Sequence, residues 1–221
     1  MAVSIERLHQ IAVDNQISGA EMAEEAGRFA RLASRHDDGT APRAVSAFNL
    51  FQTPHDIAEE MARRIQKHGS HGGRILEPSA GLGRLYRHIR QHTENPGPIV
   101  LVEESADCAR ELYAMTHDDP RVVLKQADFL NMQAADLGGP FDAICMNPPF
   151  KQGRDVKHIR HAAGMLAPGG LLVALCYDGA RQNRDLRPEC NTWDPLEPGA
   201  FAREGTRAAV VMVTVTQARE E

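Results

Sequence analysis

Four consecutive residues, Asn147-Pro148-Pro149-Phe150, have types and a spacing that could do chemistry. Two adjacent prolines supply no backbone N–H, so they cannot continue a sheet ladder. The apolar run Phe141-Asp142-Ala143-Ile144-Cys145-Met146 in front of them is therefore a strand that must stop at Asn147. A strand end in an open α/β sheet faces the crevice where ligands bind, and the residue before a proline is held extended. Asn147 and Phe150 then present an amide and an aromatic plate on stiff backbone. The Asn147 oxygen and the Pro148 carbonyl can accept from an amino group while Phe150 stacks on the ring that carries it, which suits a nucleobase. The same residues also allow a plain Pro-Pro stop with the phenylalanine tucked into the core. The surrounding sequence has to separate the two.

Three other strand ends carry polar groups. Arg74–Pro78 reads as a strand, and Ser79-Ala80-Gly81-Leu82-Gly83 turns from it into a helix with Leu82, Leu85, Tyr86 and Ile89 on one face. Closely spaced glycines let backbone approach a ligand, and helix-start N–H groups can meet its polar end. The third glycine of a dinucleotide fingerprint is missing, because Tyr86 stands in its place, which argues against a nicotinamide or flavin enzyme. Pro98–Glu103 is the next strand, and Glu103 lies about twenty residues beyond the glycines, where a carboxylate accepts from ribose hydroxyls. A surface acid is its alternative. Arg121–Phe129 reads as a third strand, with Asp128 placed to accept from an adenine amino group and Phe129 to wall the ring, or with Asp128 simply capping a turn. Upstream, Phe51-Gln52-Thr53-Pro54-His55-Asp56 opens a helix whose buried face is Ile57, Met61 and Ile65.

After the central motif comes a dense basic run with Lys151, Arg154 and Lys157, which suits phosphate contacts or a solvated helix face. That helix is expected to end at Ala167-Pro168-Gly169-Gly170 and to lead into a strand over Leu171–Tyr177. Arg181, Arg184 and Arg187 fall in a Pro-rich stretch read as an irregular loop, a second candidate for phosphate contact. A short strand near Leu196–Phe201 is expected to pair with the β-branched run Ala208–Thr216. His88 with His92, and His158 with His161, have helical metal-ligand spacings, but no third ligand type clusters beside either, so surface histidines and no metal are expected.

The whole chain bounds these readings. With 221 residues it can bury a substantial core, and a net charge of −5 argues against a generally basic coat protein while allowing a local basic patch. Its four cysteines form no CxxC pair, no apolar run reaches membrane-spanning length, and the N-terminus lacks an export pattern, so a cytoplasmic protein is expected. Ser4–Arg35 has helical periodicity, and His36–Pro42 is a turn-rich connector. This predicts an N-terminal helical extension over 1–46 and a catalytic domain over 47–221.

In this order the segments resemble the class I S-adenosylmethionine-dependent methyltransferases, most of all the DNA adenine N(6)-methyltransferases. The resemblance is carried by Phe51-Gln52-Thr53-Pro54, Glu77-Pro78-Ser79-Ala80-Gly81-Leu82-Gly83, Glu103, Asp128-Phe129 and Asn147–Phe150, with weaker support from Leu166–Gly170, Phe201 and Gly205-Thr206. It implies a Rossmann-like fold with a mostly parallel seven-stranded sheet and a C-terminal antiparallel hairpin. It implies S-adenosylmethionine held by Phe51, Thr53, Pro54, Glu77, Pro78, Ala80, Gly81, Gly83, Glu103, Asp128, Phe129 and Asn147. Asn147, Pro148, Pro149 and Phe150 would be catalytic. The partner implied is nucleic acid, DNA before RNA, met by Lys151, Arg154, Lys157, Arg181, Arg184 and Arg187. An RNA adenine or a protein glutamine amide are rival acceptors, and a binding-only subunit is the non-enzymatic rival. Little chain is left after the sheet for a target-reading domain, so low sequence specificity is expected.

Overall fold

The computed structural model describes residues 51–68, 72–93 and 97–219. The predicted N-terminal helices lie outside them. Seven strands form one sheet, β1 (Ile75–Glu77), β2 (Ile99–Glu103), β3 (Val122–Gln126), β4 (Phe141–Met146), β5 (Leu166–Tyr177), β6 (Thr192–Pro195) and β7 (Val210–Thr216), in the order β3-β2-β1-β4-β5-β7-β6. The first five run parallel, and β7 is antiparallel to both β5 and β6. Among the described residues five α-helices accompany them: α1 (His55–His68), α2 (Arg84–His92), α3 (Ala106–Thr116), α4 (Arg154–Ala163) and α5 (Ala180–Asp185). This is the expected fold class.

Strands buried on both faces read as continuous apolar runs, and here alternate residues divide between two cores. Ile75, Ile99, Leu101, Ala143, Cys145, Leu171, Val173 and Leu175 meet α1, α2 and α3. Leu76, Val100, Val102, Ile144, Met146, Leu172 and Ala174 meet α4 and the turns around Phe129 and Leu137. The chain builds outward from β1 through β2 to β3, then returns to β4 on the other side of β1. The strand order reverses there, and the connections leave β1 and β4 in opposite directions, which opens a crevice at their carboxyl ends. Glu77 ends one strand and Asn147 follows the other.

Several expected boundaries move, each for a local reason. The third strand ends at Gln126 because the Asp128 carboxylate accepts from the Leu130 N–H at 3.0 Å and caps a 3₁₀ turn over Phe129–Asn131. The helix before β5 ends at Ala163, and β5 begins at Leu166, because Leu166 pairs with Phe141 while Gly169 and Gly170 exchange backbone bonds with Gln217. Arg181 and Arg184 sit on α5 and Arg187 on a 3₁₀ turn, so the expected irregular loop is helical. The strand expected near Leu196–Phe201 is instead Thr192–Pro195, since Trp193 and Asp194 register against Val213 and Met212, and Phe201 turns inward to become fully buried.

Gly83 shows how closely the glycine turn packs. Its φ is +74°, and a Cβ there would lie 2.6 Å from Met115 Cε and 2.9 Å from a Leu112 methyl on α3. This glycine serves helix packing as well as the turn. Gly83→Ala is expected to lower stability by about 1–2 kcal/mol from the left-handed backbone alone, measured by urea denaturation.

Candidate functional site

β4 ends at Met146, so the strand stops at Asn147 as the two prolines require. Pro148 is buried and Asn147, Pro149 and Phe150 are half-buried, with Phe150 packed on the core that contains α1 and α2. The Asn147 Nδ2 donates to the Phe51 carbonyl at 3.0 Å. A carbonyl can only accept, so this bond fixes which end of the amide is nitrogen and leaves Oδ1 as an acceptor. Just past Phe150 the backbone takes two successive left-handed residues, Gln152 at φ +57° and Gly153 at φ +72°. A non-glycine residue in that region is strained, and strain of this kind collects at functional sites.

Phe51 is itself held. Thr53 and Pro54 are buried, the Ala58 N–H bonds the Pro54 carbonyl as α1 starts, and Arg84 on α2 donates to the Thr53 carbonyl at 3.0 Å. The same guanidinium pairs with Glu204 at 2.6 Å, with both side chains mostly shielded. Arg84 was not singled out from the sequence, because a basic residue opening an amphipathic helix has no distinguishing signal there.

Around the glycine turn, Glu103 accepts from the Gly81 N–H at 2.7 Å through one oxygen and from the Ser105 N–H at 2.8 Å through the other. Each oxygen keeps a lone pair, so a vicinal diol could dock on the fork. Ala80 is buried and its N–H bonds the Val102 carbonyl, which ties the turn to β2. Pro78 and Gly81 are buried as well. Asp128 is partly open beside this edge and keeps acceptor capacity beyond its cap bond. Phe129 is 2% exposed, with the His161 ring edge-on at 4.9 Å and the His158 ring at 5.7 Å.

Glu77 is 1% exposed, and its Oε2 has no hydrogen-bond partner among the described residues. Burial first, then the nearby Glu103 charge, raises its pKa well above the ordinary carboxyl value, against a backbone hydrogen bond from Tyr86. An orphaned, buried carboxyl next to a helix start is a site waiting for a cation. Together the Glu77 carboxyl, the Glu103 fork and the Asp128 acceptor fit a nucleoside that carries an ammonium-bearing amino acid. His158, expected at the surface, is 3% exposed, with Nδ1 3.5 Å from the Ser79 hydroxyl. Burial, then the Arg154 charge, lowers its pKa to about 4, so it is neutral at physiological pH.

The basic residues lie on the turn and helix that follow the loop and on α5 and the 3₁₀ turn after it. Lys157 is exposed on α4, Arg154 pairs with Glu104 at 3.3 Å, and Lys151 is half-buried. Arg184 pairs with Asp185 at 2.6 Å, while Arg187 donates to Asn183 at 3.2 Å and lies over the Trp193 ring. Exposed pairs of this type are worth little, and a phosphate can displace them. Among the described residues no group of three or more His, Cys, Asp or Glu side chains could hold a metal ion. No helix among them is long and apolar enough to cross a membrane.

Glu77 also makes stability depend on pH in a stated direction. Its folded pKa lies above the unfolded one, so its contribution is fully present below the unfolded value and is lost as pH rises through the folded value. Glu77→Gln should therefore gain stability over the parent as pH rises and lose that advantage in acid, as read by urea denaturation at a series of pH values.

Comparison with known proteins bears on the fold and the family. The fold is similar to an assigned RNA methyltransferase of Pyrococcus horikoshii (13% identity, 84% of this chain and 99% of that one, TM-score 0.65). It is also similar to the methyltransferase subunit of a type I restriction-modification system from Streptococcus thermophilus (16% identity, 79% of this chain, TM-score 0.64), of which it spans 46%. TrmN from Thermus thermophilus is similar at 20% identity over 72% of this chain and 48% of that one, with a TM-score of 0.55. No curated protein matches the chain. The family model described as the methyltransferase small domain matches residues 55–192, more than half the sequence. The chain therefore belongs to the methyltransferase small domain family, with the class I fold and S-adenosylmethionine as its cofactor.

Proposed function

We propose that the chain methylates the exocyclic amino group of adenine in a nucleic acid, DNA in preference to RNA, with little sequence context. The observation that carries this reading is the orientation of Asn147, whose Nδ2 is spent on the Phe51 carbonyl at 3.0 Å so that Oδ1 is left to accept. Phe150 beside it supplies an aromatic face for a planar acceptor. The polynucleotide methyltransferases named above share the fold, but the reading for this chain rests on these two residues.

Bound S-adenosylmethionine supplies an electrophilic methyl group on a sulfonium. Glu77 would hold the ammonium of its amino-acid part, Glu103 its ribose hydroxyls and Asp128 its adenine amino group. The acceptor nitrogen is a poor nucleophile, because its lone pair is delocalised into the base. Asn147 Oδ1 and the Pro148 carbonyl accept its two hydrogens, which favours a more tetrahedral nitrogen and withdraws the lone pair from the ring. Phe150 fixes the plane of an adenine extruded from its stack. As the nitrogen–methyl bond forms and the sulfur–methyl bond breaks, the nitrogen becomes cationic and strongly acidic; it then gives up its proton to water, so no charged base is required. Positioning of this kind removes several kcal/mol of barrier.

Between Phe150 and Thr216 the chain is used to complete the sheet and its two flanking layers. Base-specific readout needs side chains that reach base edges, whereas Lys151, Arg154, Lys157, Arg181, Arg184 and Arg187 suit phosphates, which carry affinity without sequence information. This supports low specificity.

Asn147→Ala is expected to lower labelled-methyl transfer about 10²–10³-fold while cofactor affinity by calorimetry stays within a few-fold, the loss expected for removing one preorganised polar contact. Retained turnover would remove Asn147 from the chemistry. Long-read mapping of methylated adenines on a treated plasmid should show scattered sites in short contexts. One sharp recognition sequence of four or more bases would refute low specificity.

A further inference from the structure

Three large apolar side chains are well exposed among the described residues: Tyr113, Val123 and Tyr177. Tyr113 lies on α3 and Val123 on the edge strand β3, whereas Tyr177 ends β5 with 42% of its surface open, at the carboxyl edge that holds the site. The neighbouring strand is β4, where Met146 pairs with Ala174. Tyr177 therefore lies about 10 Å further along than that pair, level with the loop Asn147–Phe150. It continues the row Leu171, Val173, Leu175, which faces the core that Phe150 packs against.

This position is built. Asp155, fully buried in the first turn of α4, accepts from the Tyr177 N–H at 3.1 Å and from Gln182 Nε2 at 2.8 Å through one oxygen, and from the Val156 N–H at 2.9 Å through the other. A single carboxylate thus pins the end of β5 and the α5 helix to the segment that follows Phe150. Gln182 is 4% exposed, and Arg181 beside it is exposed. The Arg181 guanidinium lies across Gly153, where a Cβ would collide with it. Arg154, Arg160 and Arg184 are engaged in ion pairs with carboxylates, while no such pair within bonding distance involves Arg181 among the described residues. An open aromatic ring level with Pro149 and a cation lying against Gly153 thus both border the acceptor loop.

We propose that Tyr177 and Arg181 form a subsite for the nucleotide that flanks the acceptor adenine, with its base stacked on the Tyr177 ring and its phosphate on the Arg181 guanidinium. The inference rests on the nucleic-acid reading above and deepens it. Stacking accepts any base, because every base has a π-face, so the subsite adds affinity without adding sequence preference. A phosphate contact from Arg181 adds salt dependence in the same way.

The test uses the full chain and labelled single-stranded oligonucleotides with one adenine, either intact or with abasic sites on both sides of it. Binding is read by anisotropy. The parent should bind the intact strand roughly tenfold more tightly than the abasic one. Tyr177→Ala should lose that difference, Tyr177→Phe should keep it, and both should bind S-adenosylmethionine as the parent does. Arg181→Gln should flatten the dependence of log affinity on log salt by about one unit. If the parent discriminates and Tyr177→Ala discriminates equally, the subsite is refuted while the adenine reading stands. If Tyr177→Ala also loses cofactor affinity, Tyr177 is structural and the subsite is equally refuted. If the parent neither binds nor methylates any nucleic acid, the proposed function falls and takes the subsite with it.

Discussion

The hydrogen bond from Asn147 Nδ2 to the Phe51 carbonyl joins two segments separated by 96 positions and fixes which end of the amide faces Phe51. Its energy is ordinary, about 1 kcal/mol net. Its geometric effect is larger, because it turns the nitrogen end of the amide to Phe51 and leaves Oδ1 on the opposite side as an acceptor. The bond depends on both sides being fixed. On one side two prolines stop β4 and hold Asn147 in extended backbone. On the other, Arg84 grips the Thr53 carbonyl while paired to Glu204, so α2 and the turn before β7 both anchor the segment that carries Phe51. The fold around this bond is mostly an apparatus for keeping those two ends still.

The carboxylates near the glycine turn divide their work through environment. Glu103 is satisfied by two backbone N–H groups, one on each oxygen. Glu77 is buried and lacks a partner on one oxygen among the described residues, and burial, then the nearby Glu103 charge, raises its pKa. Such a group costs stability in its charged form and gains from any ligand that brings a positive charge. The strained Gln152 just past Phe150 is a second place where order is bought with local cost, since the left-handed backbone there sets the direction in which α4 departs.

Much of the site was legible because parallel strands announce themselves as apolar runs and their carboxyl ends are where polar residues face a crevice. Glu77, Glu103 and Asn147 could each be placed from that rule, as could the stop at Pro148. What could not be read depended on partners distant in sequence. β5 extends back through Pro168 and Gly169 only because Gln217 pairs there, and β6 falls on Thr192–Pro195 because Trp193 finds Val213. His158 reads as one more residue of a basic helix, yet its face of α4 packs beneath Ser79 and Phe129. Tyr177 ends an apolar run and so looks like core. Its backbone is held by Asp155, which also holds Gln182 on α5, and no local pattern encodes that pairing.

The central claim is that the site presents a neutral acceptor pair to an aromatic amine. The most direct measurement is to incubate the intact protein with methyl-labelled S-adenosylmethionine and, in parallel, with DNA, RNA and protein, then digest each product and identify the labelled component. The account predicts label in N(6)-methylated adenine nucleoside, more from DNA than from RNA. Label found in a glutamine amide, or on a base carbon or a hydroxyl, would contradict it.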